Sequence, residues 1–305
     1  MLTVLGEAVI DLLPTDTHGG FKAHPGGSPL NVAIALARLG EPTTLLARFS
    51  RHAFGRMLHM HADRNGVTVT GPMEQPEPAS LAVVSLDPDG VAEYDFYLEG
   101  TVDWRWRPAE LTVPVGTTML HTGSLTCLRQ PGATEVTSFL TRLRQDGELL
   151  LSFDPNIRPT AGGALAETRQ QVTKLVSTAH VVKASAEDLH ALYPGESVTS
   201  IGRHWATLGP TLVVVTRGAE GALAIHGDQE VRRAAPPIEV VDTVGAGDAF
   251  TAGLLSALRS SGHGTPAALH DLRHDQIEAV VDRAIQVASL TCTRAGADAP
   301  HLADL

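Results

Sequence analysis

An α/β fold with a mostly parallel sheet, covered on both faces by helices, is what this sequence predicts, and three observations carry the prediction. Short runs rich in Val, Ile and Leu alternate with amphipathic helical patterns along most of the 305 residues, the rhythm of βαβ units. Two helical patterns are preceded by glycine-rich turns, at Gly26 and Gly27 and again at Gly245 and Gly247. One stretch, residues 80–98, breaks the rhythm as an antiparallel hairpin, which predicts a small second sheet beside the first.

The first strand is expected over residues 3–10, where Thr3, Val4, Leu5, Val9 and Ile10 supply β-branched and aliphatic side chains. A helix over 29–39 follows: Ser28 can cap it, Pro29 suits its first position, Gly40 ends it, and its alanines let it lie near the sheet. Residues 43–49 read as a strand and 54–64 as a helix. Residues 80–86 and 91–98 alternate as paired strands around Asp87, Pro88, Asp89 and Gly90, a turn by its chemistry. Tyr94, Phe96 and Leu98 share one face there, opposite Glu93, Asp95, Tyr97 and Glu99. Beyond the hairpin, short apolar runs predict strands over 119–122, 149–153, 180–183, 212–216 and 222–226. Apolar side chains recurring every three or four positions predict helices over 133–145, 164–177, 198–208, 249–260 and 276–293. No linker, repeat or low-complexity tract divides the chain, so residues 1–305 are expected to form a single domain.

Apolar residues make up 43% of the chain, and 23 basic against 34 acidic side chains give a net charge of -11, which argues against nucleic acid and anionic membrane as partners. The stretch from Met1 to Glu7 lacks a basic region and meets a charge too early for a signal peptide. No apolar run approaches membrane-spanning length. With only Cys127 and Cys292, a disulfide framework is not expected, and a cytoplasmic, reducing setting is.

Chemistry is concentrated in Asp242, Thr243, Val244, Gly245, Ala246, Gly247 and Asp248. The glycines lead into a helix with Asp248 in its first turn, where free backbone N–H groups and partial positive charge make a seat for an anion. A carboxylate beside that seat is poorly placed to bind phosphate and well placed to take a proton from a group about to attack one. The stretch therefore suggests phosphoryl transfer to a hydroxyl. A dinucleotide fingerprint fails here for want of its third glycine, and a bare G-x-G-D also describes a strand-to-helix turn with a capping Asp. The second glycine stretch tips the balance toward a ligand site: His24, Pro25, Gly26, Gly27, Ser28 and Pro29, then Asn31 one turn into the helix, where a ligand can approach the backbone.

Together these stretches resemble the signatures of the PfkB-type sugar kinases, the ribokinase family, in order and nearly residue for residue. Residues 6–11, 154–158, 183–188, 216–221 and 294–297 match further landmarks, so the resemblance spans the chain, and residues 96–104 look most like the fructokinase branch. It implies a ribokinase-like three-layer α/β/α domain with a small β-sheet lid, here segments of about 12–25 and 80–103. It also implies an ATP-dependent sugar kinase that converts D-fructose to fructose 6-phosphate.

Carried over residue by residue, the resemblance implies Asp248 as the catalytic base and Gly245, Ala246 and Gly247 as an anion hole. Asp11, Gly26, Gly27, Asn31, Phe96, Tyr97 and Arg158 fall around the sugar, and Ser185, Asp188, Thr216, Arg217, Gly218 and Gly221 around the nucleotide. Asp242 and Val244 fall at a monovalent-cation site suited to K+, and Asp188 reaches Mg2+ through water. A carboxylate and a carboxamide suit a polyol, and N–H groups suit charge building on a transferred phosphoryl group. A helix N-terminus is expected to lower the pKa of Asp248. The partners implied are a small-molecule sugar and ATP, with a homodimer formed through the lid.

Two departures bear on specificity. The family's Asn-x-x-Glu stands here as Ser185, Ala186, Glu187 and Asp188, with a shorter acid that Glu187 could assist. Relatives that accept acidic sugars often carry an arginine after the aromatic pair. This chain has Leu98 there, which ranks a neutral ketohexose above 2-keto-3-deoxygluconate. Another family substrate such as ribose or a nucleoside, and a non-catalytic sugar sensor, are the alternative readings. No P-loop or H-E-x-x-H pattern occurs, and Trp104 and Trp106 are expected to pack at the lid base.

Overall fold

The computed structural model describes residues 1–15, 19–86, 92–158 and 163–305. Among these, the strands in chain order are β1 (Leu2–Leu5), β2 (Val9–Pro14), β3 (Phe21–Gly26), β4 (Thr43–Leu46), β5 (Thr68–Thr70), β6 (Leu81–Leu86), β7 (Ala92–Tyr97), β8 (Met119–Gly123), β9 (Leu150–Asp154), β10 (Val181–Ser185), β11 (Leu212–Thr216), β12 (Ala222–His226) and β13 (Gln229–Arg233). The helices are α1 (Ser28–Arg38), α2 (Ala53–Arg64), α3 (Gly132–Asp146), α4 (Leu165–Thr178), α5 (Ala186–Leu192), α6 (Val198–Ala206), α7 (Ala246–Ser260), α8 (Pro266–His270) and α9 (His274–Cys292).

The large sheet runs β13-β12-β11-β10-β9-β8-β1-β4-β5, parallel from β11 to β5, with β12 and β13 antiparallel at one edge. Its strands are buried on both faces because alternate side chains enter two cores. Leu2, Val4, Leu45 and Val214 pack with residues of α1, α7 and α9 on one side. Leu5, Leu120, Phe153, Val182 and Val213 pack with residues of α3, α4 and α6 on the other. Strand order reverses at β1: the chain builds outward to β4 and β5, then returns to β8 and continues toward β11. Such a switch point opens a crevice at the C-terminal ends of the strands, where α/β sheets bind ligands.

The second sheet runs β3-β2-β6-β7, with β2 and β6 parallel and the outer pairs antiparallel. Its register aligns His24, Asp11, Ala82 and Phe96 in one row across the four strands, so these side chains share a face. The predicted hairpin forms as β6 and β7, with Leu81 opposite Tyr97 and Val84 opposite Tyr94. Its turn, Asp87 to Gly90, lies outside the described residues.

The strand expected over 3–10 is two strands in two sheets, β1 and β2. Gly6 lies between them against Pro29 of α1; a Cβ there would stand 2.2 Å from the proline Cγ. Aliphatic residues on both sides of the break hid it from the pattern. β3, β5, β13, α5 and α8 form without having been predicted. β5 and α8 are short, and β13 is polar, joining the sheet by pairing with β12. Trp104 and Trp106 are both buried; Trp104 packs with Leu98, Leu125 and Phe96 beneath the small sheet, as expected, whereas Trp106 packs in a core of the large sheet with Leu5, Leu46 and Leu111.

Candidate active site

The helix start at α7 is shaped by two glycines with different constraints. Gly245 caps the helix in the left-handed region, φ 76°, and a Cβ on it would stand 2.6 Å from that of Ala297. Asp242 braces the approach: its Oδ1 accepts from Val244 N at 3.0 Å and its Oδ2 from Gly296 N at 2.8 Å. The N–H of Ala246 turns back onto Thr243 O at 3.2 Å, while those of Gly245, Gly247 and Asp248 carry no hydrogen bond among the described residues. Of the expected anion-hole residues Gly245, Ala246 and Gly247, the two glycines therefore keep a free N–H, as does Asp248, and Ala246 does not.

Asp248 is gripped from α1. Ser28 Oγ donates to its Oδ1 at 2.6 Å and Asn31 Nδ2 donates to its Oδ2 at 2.9 Å. Ser28 was expected to cap α1. Instead Gly27 occupies the cap position with φ 103°, and the serine hydroxyl serves Asp248. The Asp248 carboxylate, enclosed among these groups, has its pKa raised by burial. Ser28, Asn31 and the Lys183 charge act against that rise, and Asp154 adds to it. The lowering expected from the helix N-terminus is therefore outweighed, and Asp248 is a stronger base than its position alone implies.

Beneath this turn lies a buried ion pair whose two residues belong to the 154–158 and 183–188 landmarks. Lys183 of β10 donates to Asp154 Oδ2 of β9 at 2.9 Å, and a Cβ on Gly247 would sit 3.1 Å from its Nζ. Burial alone would lower the lysine pKa; Asp154, and then Asp188 and Asp248, more than offset it, and it is raised. Lys183 is therefore a fixed positive charge under the N-terminus of α7.

The sugar-side candidates converge on Asp248 from the small sheet. The Asp11 carboxylate lies over Gly26, where a Cβ would meet its Oδ2 at 2.2 Å. Burial raises the Asp11 pKa to about 6, against the Arg158 charge and with that of Asp248. Phe96 stands in the same row as Asp11, and Tyr94 stacks on it at 6.1 Å between centroids and 16° between planes. Tyr97 does not join them: alternation along β7 turns it to the opposite face, 60% exposed.

The nucleotide-side candidates line the same edge of the large sheet, at the ends of β10 and β11. Ser185 and Asp188 form a reciprocal cap on α5, and Asp188 Oδ1 also accepts from Ile157 N at 2.7 Å, next to Arg158. In the loop 216–221, Arg217 N donates to Gly221 O at 2.8 Å, and a Cβ on Gly221 would collide with Arg233 O at 2.0 Å. Among the described residues no hydrogen bond joins this loop to Asp248, whose side-chain partners are Ser28 and Asn31. A groove of about 320 Å³ runs beside β13, lined in part by Pro236, Ile238, Ile285 and Ser289. The α9 helix behind it is tied to the Asp242 loop by Cys292 O, which accepts from Val241 N at 2.9 Å.

Comparison with known proteins agrees with this geometry. The fructokinase of Rhizobium leguminosarum bv. trifolii is 34% identical over 263 residues, covering 85% of this chain and 80% of the relative. A double-mutant fructokinase from Vibrio cholerae O395, solved with fructose, ADP and potassium ion, superimposes with a TM-score of 0.85 at 28% identity, covering 97% and 93% of the two chains. The ATP-bound fructokinase of Xylella fastidiosa gives 0.88 at 26% identity, covering 97% and 93%. The family model described as pfkB family carbohydrate kinase matches residues 1–304, and the chain belongs to that family.

Proposed function

We propose that this protein is an ATP-dependent fructokinase that phosphorylates D-fructose to fructose 6-phosphate. The observation that carries the reading is Asp248, held by Ser28 and Asn31 beside free helix N–H groups and above Lys183. The relatives named fructokinase and the neighbour holding fructose and ADP support the substrate pair. The unit is the whole of residues 1–305, with the small sheet as its lid.

Asp11, the backbone at Gly26 and Gly27, Asn31, Phe96 and Arg158 hold the sugar. Asp248 accepts the proton as the sugar O–H bond breaks. A new P–O bond forms to the sugar oxygen while the bond from the γ-phosphorus to its bridging oxygen breaks, releasing ADP. Gly245, Gly247 and Asp248 N–H groups with Lys183 stabilise the charge on the group in flight. The 216–221 loop holds the nucleotide phosphates, and the groove at Ile238 and Ile285 seats the base. Among the described residues no cluster of three or more acidic, His or Cys side chains could cage a metal. Mg2+ would be carried on the nucleotide phosphates and water, with Asp188 as the residue that would hold it through water, and it would supply neutralisation of phosphate charge. Asp242, with one N–H on each oxygen, and Val244 O would hold K+.

Leu98 supports a neutral sugar, since it is buried against Trp104 and Leu125 and brings no cation to the pocket. No described helix is long and apolar enough to cross a membrane, and a cytoplasmic setting completes the proposal. The test is ATP-dependent ADP release with fructose, 2-keto-3-deoxygluconate, ribose and adenosine, with Asp248→Asn alongside. Fructose should lead, and the variant should lose about 10²- to 10⁴-fold in kcat. Sugar binding without ADP release would leave a sensor as the better account.

A further inference from the structure

We propose that Tyr94 is a specificity-determining residue, its hydroxyl binding the second hydroxymethyl arm of a ketohexose furanose, the arm that a pentose lacks. This rests on the fructokinase reading and deepens it. The small sheet presents Asp11, Ala82 and Phe96 in one row, with the small, buried Ala82 standing between the carboxylate and the ring. A furanose set against that row lays a C–H face on Phe96 and offers hydroxyls to Asp11. Its reacting arm points to Asp248 and its other arm points outward along the sheet.

Outward is where Tyr94 stands. It occupies the next row on the same face, stacked on Phe96, 40% exposed, and its hydroxyl has no hydrogen-bond partner among the described residues. Burial of the ring, then the charge of Asp11, raises the phenol pKa, while Arg158 lowers it; the hydroxyl is therefore neutral and within the electrostatic reach of both sugar-side charges. A neutral phenol can both donate to and accept from a sugar hydroxyl. It does not compensate an added carboxylate as an arginine would, in keeping with the apolar Leu98 beyond Phe96.

The experiment pairs Tyr94→Phe with 1-deoxy-D-fructose, which lacks the hydroxyl of that arm. In the unmodified protein, ADP release with fructose must first be seen; its absence overturns the fructokinase reading, and the Tyr94 assignment with it. Given turnover, Tyr94→Phe should raise the fructose KM about 3- to 10-fold with kcat within about twofold, the scale of one neutral hydrogen bond. The ribose KM should not move. The unmodified protein should show a similar penalty for 1-deoxy-D-fructose, and the variant no further penalty, because both changes remove one interaction. An unchanged fructose KM, two penalties that multiply, or a KM rise in Tyr97→Phe with none in Tyr94→Phe overturns the assignment and leaves the fructokinase reading standing.

Discussion

Gly245 and Gly247 look alike in the sequence, yet a methyl group on each would meet a different neighbour. At Gly245 it meets Ala297 at 2.6 Å in a backbone region with φ 76°, so Gly245→Ala should damage the fold. A left-handed φ alone costs about 1–2 kcal/mol, and calorimetry should show a Tm lowered by at least about 2 °C. At Gly247 the methyl meets only Lys183 Nζ, at 3.1 Å, and Ala is the better helix former by about 0.5–1 kcal/mol. Gly247→Ala should therefore keep or slightly raise Tm while kcat falls about 10- to 100-fold, because the anion seat and its buried charge are disturbed. Equal Tm losses in both would show that Gly247 is structural as well. The glycines and Asp248 were legible in the sequence because backbone freedom and an acid at a helix start leave a local signature. Lys183 and Ser28 were not legible as site residues. Their partners, Asp154 and Asp248, lie 29 and 220 positions away, and only the fold brings them together.

The capped helix α5 shows where element-level reading stopped. Residues 185–188 stand where the family carries a binding motif, and their geometry is that of a cap: Ser185 Oγ accepts from Asp188 N at 3.0 Å, and Asp188 Oδ2 accepts from Ser185 N at 3.1 Å. The seven-residue helix that the cap starts is too short for periodicity to reveal, whereas α7 and α9 were read to within a few residues. Asp188 also holds Ile157 N and so anchors the segment carrying Arg158. Asp188→Ala should leave these backbone donors without partners, at about 1–3 kcal/mol for each one buried. Tm should fall, and both the fructose KM and the half-saturating Mg2+ concentration should rise. A fall in Tm with the half-saturating Mg2+ concentration unchanged within about twofold would instead leave Asp188 with the cap and the Ile157 contact alone.

The fold as a whole joins its two sheets through a buried acidic junction, which should set how stability depends on pH. Asp103 accepts from Ala8 N, between β1 and β2, at 3.2 Å and from Ser80 Oγ, at the start of the β6 segment, at 2.6 Å. Burial raises its pKa to about 7, with the Glu7 charge adding to the rise and these hydrogen bonds opposing it. A carboxyl with a raised folded pKa contributes stability that is fully present below its unfolded value near 4 and lost as pH climbs through 7. His121 and His180 slope the other way: burial lowers them to about 3 and about 4, so their contribution is present above about 6.5 and lost as pH falls. Asp103→Asn removes only the first slope. The amide oxygen can still accept from Ala8, and its NH2 can donate to Ser80 while the Ser80 hydroxyl turns to Thr101, 2.6 Å away. The Tm of the variant relative to the unmodified protein should therefore climb between pH 5 and pH 8, by a stability gain on the order of 2 kcal/mol. A difference that stays flat with pH would mean that Asp103 remains ionised across the range and that the junction carries its charge without a proton.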